Sequence, residues 1–208
     1  MDKRALLAEV ADYYSHKLAA HGDTPKGVDW NGEESQKLRF EQLARLIAPG
    51  VPFSINDVGC GYGALCDYLQ TAFPDVSYTG CDISADMIAA ACSRHTTNDR
   101  VRFVVGSEPP ALADYSVASG IFNVRLERSD AEWRDYMAEA IDVLDHSSVH
   151  GFAFNCLTSY SDAERKRGYL YYADPCALFD LCKRRYSRNV ALLHDYGLYE
   201  FTLLVRKA

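Results

Sequence analysis

"INDVGCGYGALC", Ile55 to Cys66, is the stretch that decides the fold. An apolar run carrying Asp57 ends at Val58, and glycine then falls at every second position, at Gly59, Gly61 and Gly63. One glycine suffices for a tight turn. Three at this spacing indicate backbone that must approach a ligand closely, at the carboxyl end of a strand where open α/β sheets bind. Gly59, Gly61 and Ala64 also fit the loose dinucleotide pattern Gly-x-Gly-x-x-Gly/Ala, so spacing alone leaves the ligand open. Asp57 turns the reading away from a nicotinamide or flavin. A carboxylate there suits an ammonium or hydroxyl donor and faces a pyrophosphate unfavourably.

Outward from this turn, strands and helices alternate. Strands are expected over 53–58, 77–82, 101–105, 116–122 and 149–156. Between the first strands, Leu65, Leu69 and Phe73 mark one helix, and Ile83, Met87, Ile88 and Ala91 mark another with Ser84 as its N-cap. "SDAE" (Ser129 to Glu132) is a capping box opening a helix with Trp133, Met137, Ile141 and Leu144 inward. Asp174 followed by Pro175 opens one more. "VALLH" and "YEFTLLVR", joined by "DYGL", lie too close together for a parallel crossover, so one terminal strand runs antiparallel. Before the turn lie two helices, over 3–20 and roughly 33–48, separated by a Gly/Pro/Asp loop at 21–32. The class is α/β, a doubly wound and mostly parallel sheet.

The 208 residues suit one ordinary domain, and 48% hydrophobic with 25% charged is globular composition. A net charge of -7 opposes broad phosphate-backbone binding, so nucleic acid is an unfavoured partner. No apolar run is long enough to span a bilayer. Seven cysteines without a Cys-x-x-Cys read as reduced thiols of a cytoplasmic protein. The six histidines lack metal-ligand spacing, so no metal is assigned.

In this order, "DVGCGYG", "YTGCDIS", "DYSVASGIFN" and "HDYGLYEFTLLVRK" resemble the motifs of class I S-adenosylmethionine-dependent methyltransferases, over about residues 50–208. The resemblance implies a Rossmann-like sheet of seven strands in order 3-2-1-4-5-7-6 with strand 7 antiparallel. It also implies a methyltransferase domain over 51–208 and an N-terminal helical cap over 1–50. S-adenosylmethionine would be the cofactor. Gly59, Cys60, Gly61 and Gly63 would pack beside its methionine and ribose parts, and Asp57 would meet its ammonium. Asp82, ending the second strand, would accept the ribose hydroxyls. Ile83 and Met87 would flank the adenine, although their spacing also fits core packing. Gly106 and Ser107 follow the third strand, where the family often has Gly-Asp, so Ser107 departs from the pattern. Ser119, Gly120, Phe122 and Asn123 end the fourth strand beside the transferable methyl. The family's amino-methylating nucleic-acid enzymes resemble Asn-Pro-Pro-Tyr there; this chain reads "FNVRLE".

In the cap, Tyr13, Trp30, Gln36 and Arg39 fit a segment closing over the cofactor, with Arg39 a fork for the methionine carboxylate. Where the acceptor needs a general base, His194 is the first choice, with Tyr196, Asp195, Asn155 and Glu127 as further candidates. The segment 157–175, with Ser161 and Glu164 as a capping box and Tyr160, Tyr169, Tyr171 and Tyr172 as an aromatic edge, is expected to form the pocket of a small-molecule acceptor. The sequence does not fix the oligomeric state. A non-catalytic cofactor-binding subunit, a protein or nucleic-acid methyltransferase, and an NAD(P)-dependent oxidoreductase are the alternatives.

Overall fold

The structure is a computed structural model describing residues 3–96 and 98–207. Its sheet contains seven strands: β1 (Ser54–Val58), β2 (Ser77–Asp82), β3 (Val101–Val105), β4 (Ala113–Ala118), β5 (Ser148–Leu157), β6 (Asn189–Leu193) and β7 (Glu200–Arg206). Their order is β3-β2-β1-β4-β5-β7-β6. The first five run parallel, and β7 is antiparallel to both β5 and β6. This is the expected Rossmann-like topology. β1 and β4 adjoin at its centre, where successive crossovers diverge to opposite sides and a crevice opens above the strand ends.

Among the described residues six α-helices cover the sheet: α1 (Lys3–His21), α2 (Glu33–Ala44), α3 (Ala64–Ala72), α4 (Ala85–Arg94), α5 (Asp130–His146) and α6 (Pro175–Arg185). One apolar cluster joins α1 (Leu6, Val10), α5 (Trp133, Met137, Ile141) and α6 (Cys182) to Phe152, Phe154 and Leu203. The other joins α2 (Phe40, Leu43) and α3 (Leu65, Leu69) to Ile55, Tyr78 and Leu204. The two N-terminal helices thus pack into opposite cores of the sheet, and the loop between them is drawn across its top.

The caps follow local chemistry. Ser84 Oγ accepts from the Met87 N–H at 3.2 Å. Ser129 and Glu132 form the full capping box of α5. The Asp174 carboxylate accepts from the N–H groups of Cys176 and Ala177 before Pro175 sets the first turn of α6.

Three expected boundaries move. β4 begins at Ala113 and ends at Ala118, earlier than 116–122, because Gly120 at φ 86° turns the chain out of the sheet. At its start the Asp114 carboxylate accepts from the Ser54 N–H at 2.7 Å and so anchors the pairing with β1. α2 stops at Ala44, and the chain continues to Ile47 in tight turns with bonds three residues back. The Ser161/Glu164 capping box does not form. The short 3-10 turn there (Ala163–Arg165) starts after Asp162, and Ser161 Oγ instead donates to the Thr158 carbonyl at 2.7 Å.

Candidate active site

The glycine turn after β1 is fastened to the end of β2. The N–H groups of Gly59 and Cys60 both donate to the Cys81 carbonyl, at 2.8 and 3.1 Å. The Gly61 N–H donates to Asp82 Oδ2 at 2.9 Å, and the Ser84 N–H donates to Asp82 Oδ1 at 2.9 Å. Asp82 therefore both shapes the turn and keeps lone pairs for further donors. Burial raises its pKa, and the backbone donors of Ser84, Gly61 and Ile83 pull it back.

Gly59 (φ 77°) and Gly61 (φ 54°) hold left-handed backbone that side chains disfavour. A Cβ on Gly59 would lie 2.1 Å from Ile121 Cγ2. Gly63 has a different function. It begins α3, and a Cβ there would collide with the His95 ring, so it packs helix against sheet away from the crevice.

Beneath the turn, Asp57 is 2% exposed. Its Oδ2 accepts from the Tyr78 hydroxyl at 2.6 Å, while its Oδ1 is buried without a partner. Desolvation raises its pKa to about 7, against a lowering by the Tyr78 hydrogen bond and a smaller push from Asp82. A buried carboxylate oxygen with no donor is costly and matches a ligand that brings one.

A cavity with about 1070 Å³ of empty space, part of it open to solvent, runs over these groups. Of the expected cofactor residues, Asp57, Gly59, Cys60, Gly61, Asp82, Ile83, Met87, Gly106, Ser107, Ser119 and Gly120 line it. Three do not. Gly63 caps α3, as described, and the space beside its Cα belongs to His95. Phe122 is 1% exposed and turned into the core against Tyr136 and Phe154, its carbonyl accepting from Trp133 Nε1 at 2.9 Å. Arg39 closes its fork on Glu200, with Nε to Oε2 at 2.7 Å and Nη2 to Oε1 at 2.6 Å, leaving only the buried Nη1 unpartnered.

The N-terminal segment supplies further walls, including Tyr14, Val28, Trp30 and Gln36. Tyr14, rather than the neighbouring Tyr13, faces the cavity; the Tyr13 hydroxyl donates to Asp29 at 2.8 Å. Ile121 and Tyr62 were not anticipated either. Ile121 had a signal, because a glycine turn needs a partner side chain in the space left by its missing Cβ atoms.

A second, more polar cavity adjoins the first and shares Tyr14, Val28, Trp30 and Gly120 with it. Its other walls include Arg39, Asn123 and Glu200, and Ser161, Arg165, Arg167, Tyr169 and Tyr172 from the 157–175 segment. Trp30 stands at the junction. The Arg39 guanidinium stacks 3.8 Å from its ring centroid, and a Cβ on Gly120 would lie 2.6 Å from its Cζ2. Gly120 is glycine because Trp30 occupies that space. Its N–H donates to Asn155 Oδ1 at 2.8 Å, and Asn155 Nδ2 reaches Glu200 Oε2 at 3.4 Å.

The expected catalytic groups are placed differently. Asn123 lines the second cavity, but its Oδ1 accepts from the Leu157 N–H at 3.0 Å, tying the β4 end to β5. Tyr196 lines neither cavity; its hydroxyl pairs with Thr202 Oγ1 at 3.0 Å, and burial raises its pKa. His194 and Asp195 are exposed, with the His194 ring against Tyr160 and Phe201. Sheet order explains this. β6 lies three strands from β4, about 14 Å sideways at the usual strand spacing. Asn155 is engaged by Gly120, and Glu127 is exposed outside both cavities.

Fold and site together define a methyltransferase of the class I, S-adenosylmethionine-dependent kind, and the chain belongs to that family. Residues 55–147 match the family described as "Methyltransferase domain". The chain is 58% identical over 164 residues to "Putative methyltransferase Rv1506c" of Mycobacterium tuberculosis (strain ATCC 25618 / H37Rv), covering 79% of this chain and 99% of that protein. It is 33% identical over 109 residues to the malonyl-[acyl-carrier protein] O-methyltransferase of Hahella chejuensis (strain KCTC 2396), covering 52% of this chain and 39% of that enzyme. Among solved structures, the magnesium protoporphyrin IX methyltransferase of Synechocystis PCC 6803 with bound S-adenosylmethionine shares the fold. Its TM-score is 0.68 at 14% identity, over 97% of this chain and 96% of that one.

Proposed function

We propose that the first cavity holds S-adenosylmethionine and the second a small-molecule acceptor, methylated at oxygen or nitrogen where the two meet beside Gly120 and Trp30. The observation that carries this reading is the buried, unpartnered Asp57 Oδ1 beneath a glycine turn held by Asp82. Asp57 would pair with the cofactor ammonium, and Asp82 would accept the ribose hydroxyls on its remaining lone pairs. Gly59 and Gly61 would let the backbone lie against the cofactor, with Cys60 in the same wall. Ile83 and Met87 would flank the adenine, and Gly106 and Ser107 would close its edge. Ser119 and Gly120 would border the methionine part.

When bound, the cofactor supplies an electrophilic methyl on a sulfonium, and the residues of the chain supply alignment and exclusion of water. Residues 1–50 serve as a lid on the domain formed by 51–208, with Tyr14, Val28 and Trp30 covering the junction. Trp30 is held between Arg39 and the bare backbone of Gly120, which fixes its ring where the two cavities share walls. The Glu200–Asn155–Gly120 network fixes the β4 end against which the acceptor would rest.

A small acceptor is favoured by the acidic balance of the chain, which opposes nucleic acid. Seven cysteines, all unpaired, suit a reducing, cytoplasmic setting. The test is acceptor screening with label-bearing S-adenosylmethionine. Transfer to small molecules that is lost in Trp30→Ala supports the junction. Transfer confined to protein or nucleic acid would overturn the acceptor class.

A further inference from the structure

The second cavity holds two acids, and both are neutralised within the chain. Glu200 gives both oxygens to Arg39. Asp29 receives Lys17 Nζ at 2.7 Å on Oδ1 and the Tyr13 hydroxyl at 2.8 Å on Oδ2. No histidine lines the cavity among the described residues. Tyr14, at the junction, has its pKa raised by burial and by the nearby Asp29 and Asp82. The cavity therefore contains, among the described residues, no free group suited to deprotonating a neutral hydroxyl near neutral pH.

Its cations are less fully matched. Arg167 donates Nη1 to the carbonyls of Glu164 and Lys166, and no carboxylate partners it among the described residues. Arg165 lies 3.7 Å from Asp162 in an exposed pair that water weakens, and Asp162 also takes the Tyr199 hydroxyl. On the inner wall Arg39 is 4% exposed, with Nη1 buried and unpartnered. The cavity thus has exposed arginines and a buried guanidinium donor among its walls, together with tyrosine rings.

Resting on the cofactor and acceptor assignment above, we propose that the acceptor is a carboxylic acid and that the methylated atom is one of its carboxylate oxygens. Such an acceptor is already ionised, so the missing base is not needed. The carboxylate lone pair forms the new O–C bond as the S–C bond breaks. The bonding pair stays on sulfur, which passes from sulfonium to neutral thioether, and the acid becomes a neutral methyl ester. No proton is transferred. Arg167 and Arg165 draw the anion in, and Arg39 Nη1 supplies the inner donor.

The test uses full-length protein saturated with S-adenosylhomocysteine. Benzoate, octanoate, succinate and a wider panel of aliphatic and aromatic acids are each titrated against their primary amides. Binding is read by tryptophan fluorescence, since Trp30 stands at the cavity junction and Trp133 is buried in the core. At least one acid should bind about tenfold or more tightly than its amide, and Arg167→Gln should weaken that acid by about tenfold while leaving the amide unchanged. With methyl-labelled cofactor, the label transferred to that acid should be released as methanol by mild alkali, as an ester is and an ether or N-methyl product is not. A panel in which no acid outbinds its amide, or transfer only to alkali-stable products, overturns the proposal and leaves the methyltransferase reading standing. Protein that fails to bind S-adenosylhomocysteine at all refutes the cofactor assignment beneath it.

Discussion

Replacing Asp57 by asparagine should stabilise the ligand-free protein at alkaline pH while removing its cofactor affinity. Asp57 is buried and its pKa rises from an ordinary 3.8 to about 7, chiefly through desolvation. A carboxyl whose folded-state pKa is raised holds its proton longer in the folded chain than in the unfolded one. Its contribution to stability is therefore greatest at low pH and is lost as pH rises towards the folded-state value. Between about pH 5.5 and pH 8.5 the folded carboxyl releases its proton near 7, while the unfolded one is ionised throughout. The two states differ by a proton only below about pH 7, over about one and a half pH units of that interval, so at about 1.36 kcal/mol per unit the loss is about 2 kcal/mol. The asparagine side chain could still accept from Tyr78 but carries no charge. In urea unfolding at both pH values, wild type should lose about 2 kcal/mol more than Asp57→Asn across the interval. The carboxylate's other task appears in calorimetry. Wild-type affinity for S-adenosylhomocysteine should fall as pH drops below 7, because a protonated Asp57 cannot pair with an ammonium, and the variant should bind weakly at every pH. Equal stability slopes in the two proteins would refute the burial argument. Undiminished binding by the variant would refute the ammonium role.

Three further outcomes follow from particular contacts. Gly59→Ala should lose about 1–3 kcal/mol in urea unfolding, since its Cβ meets Ile121 at 2.1 Å at a φ of 77°, and adding Ile121→Ala should recover part of that loss. Arg39→Met should cost about 3–5 kcal/mol by stranding Glu200 in the interior, whereas Arg39→Met with Glu200→Met should cost less than either single change in a double-mutant cycle. Ser129→Ala removes the α5 capping box at a residue that lines neither cavity. It should lower stability by about 1 kcal/mol and leave cofactor affinity unchanged by calorimetry.

Much of this architecture was legible because it is written in local chemistry. Ser84, Ser129 and Asp174 cap helices by hydrogen bonds that require nothing beyond their neighbours. The alternation from Ile55 onward, with a short link between the last two strands, fixed the parallel sheet and its reversed strand. Asp57 and Asp82 could be placed on the cavity because motif spacing sets where the central strands end. Long-range pairing was not legible. Arg39 and Glu200 are 161 residues apart, and nothing local says that the fork closes on that acid. His194 looked available because the sequence gives the turn's composition but not its distance from β4. Phe122 turns into the core and Gly63 packs against His95, since motif spacing fixes the backbone path and packing decides what each position meets. Ile121 and Trp30 fill the spaces left by Gly59 and Gly120; the glycines signal that a side chain packs there, and the fold decides which one.

The central claim is that the turn over Asp57 and Asp82 is a cofactor cradle. Calorimetric titration with S-adenosylmethionine and S-adenosylhomocysteine, on wild type and Asp82→Ala, tests it most directly. Saturable one-to-one binding of both ligands by wild type, lost in Asp82→Ala while far-UV circular dichroism shows the variant folded, is the predicted result. No binding by wild type, or undiminished binding by the folded variant, would contradict it.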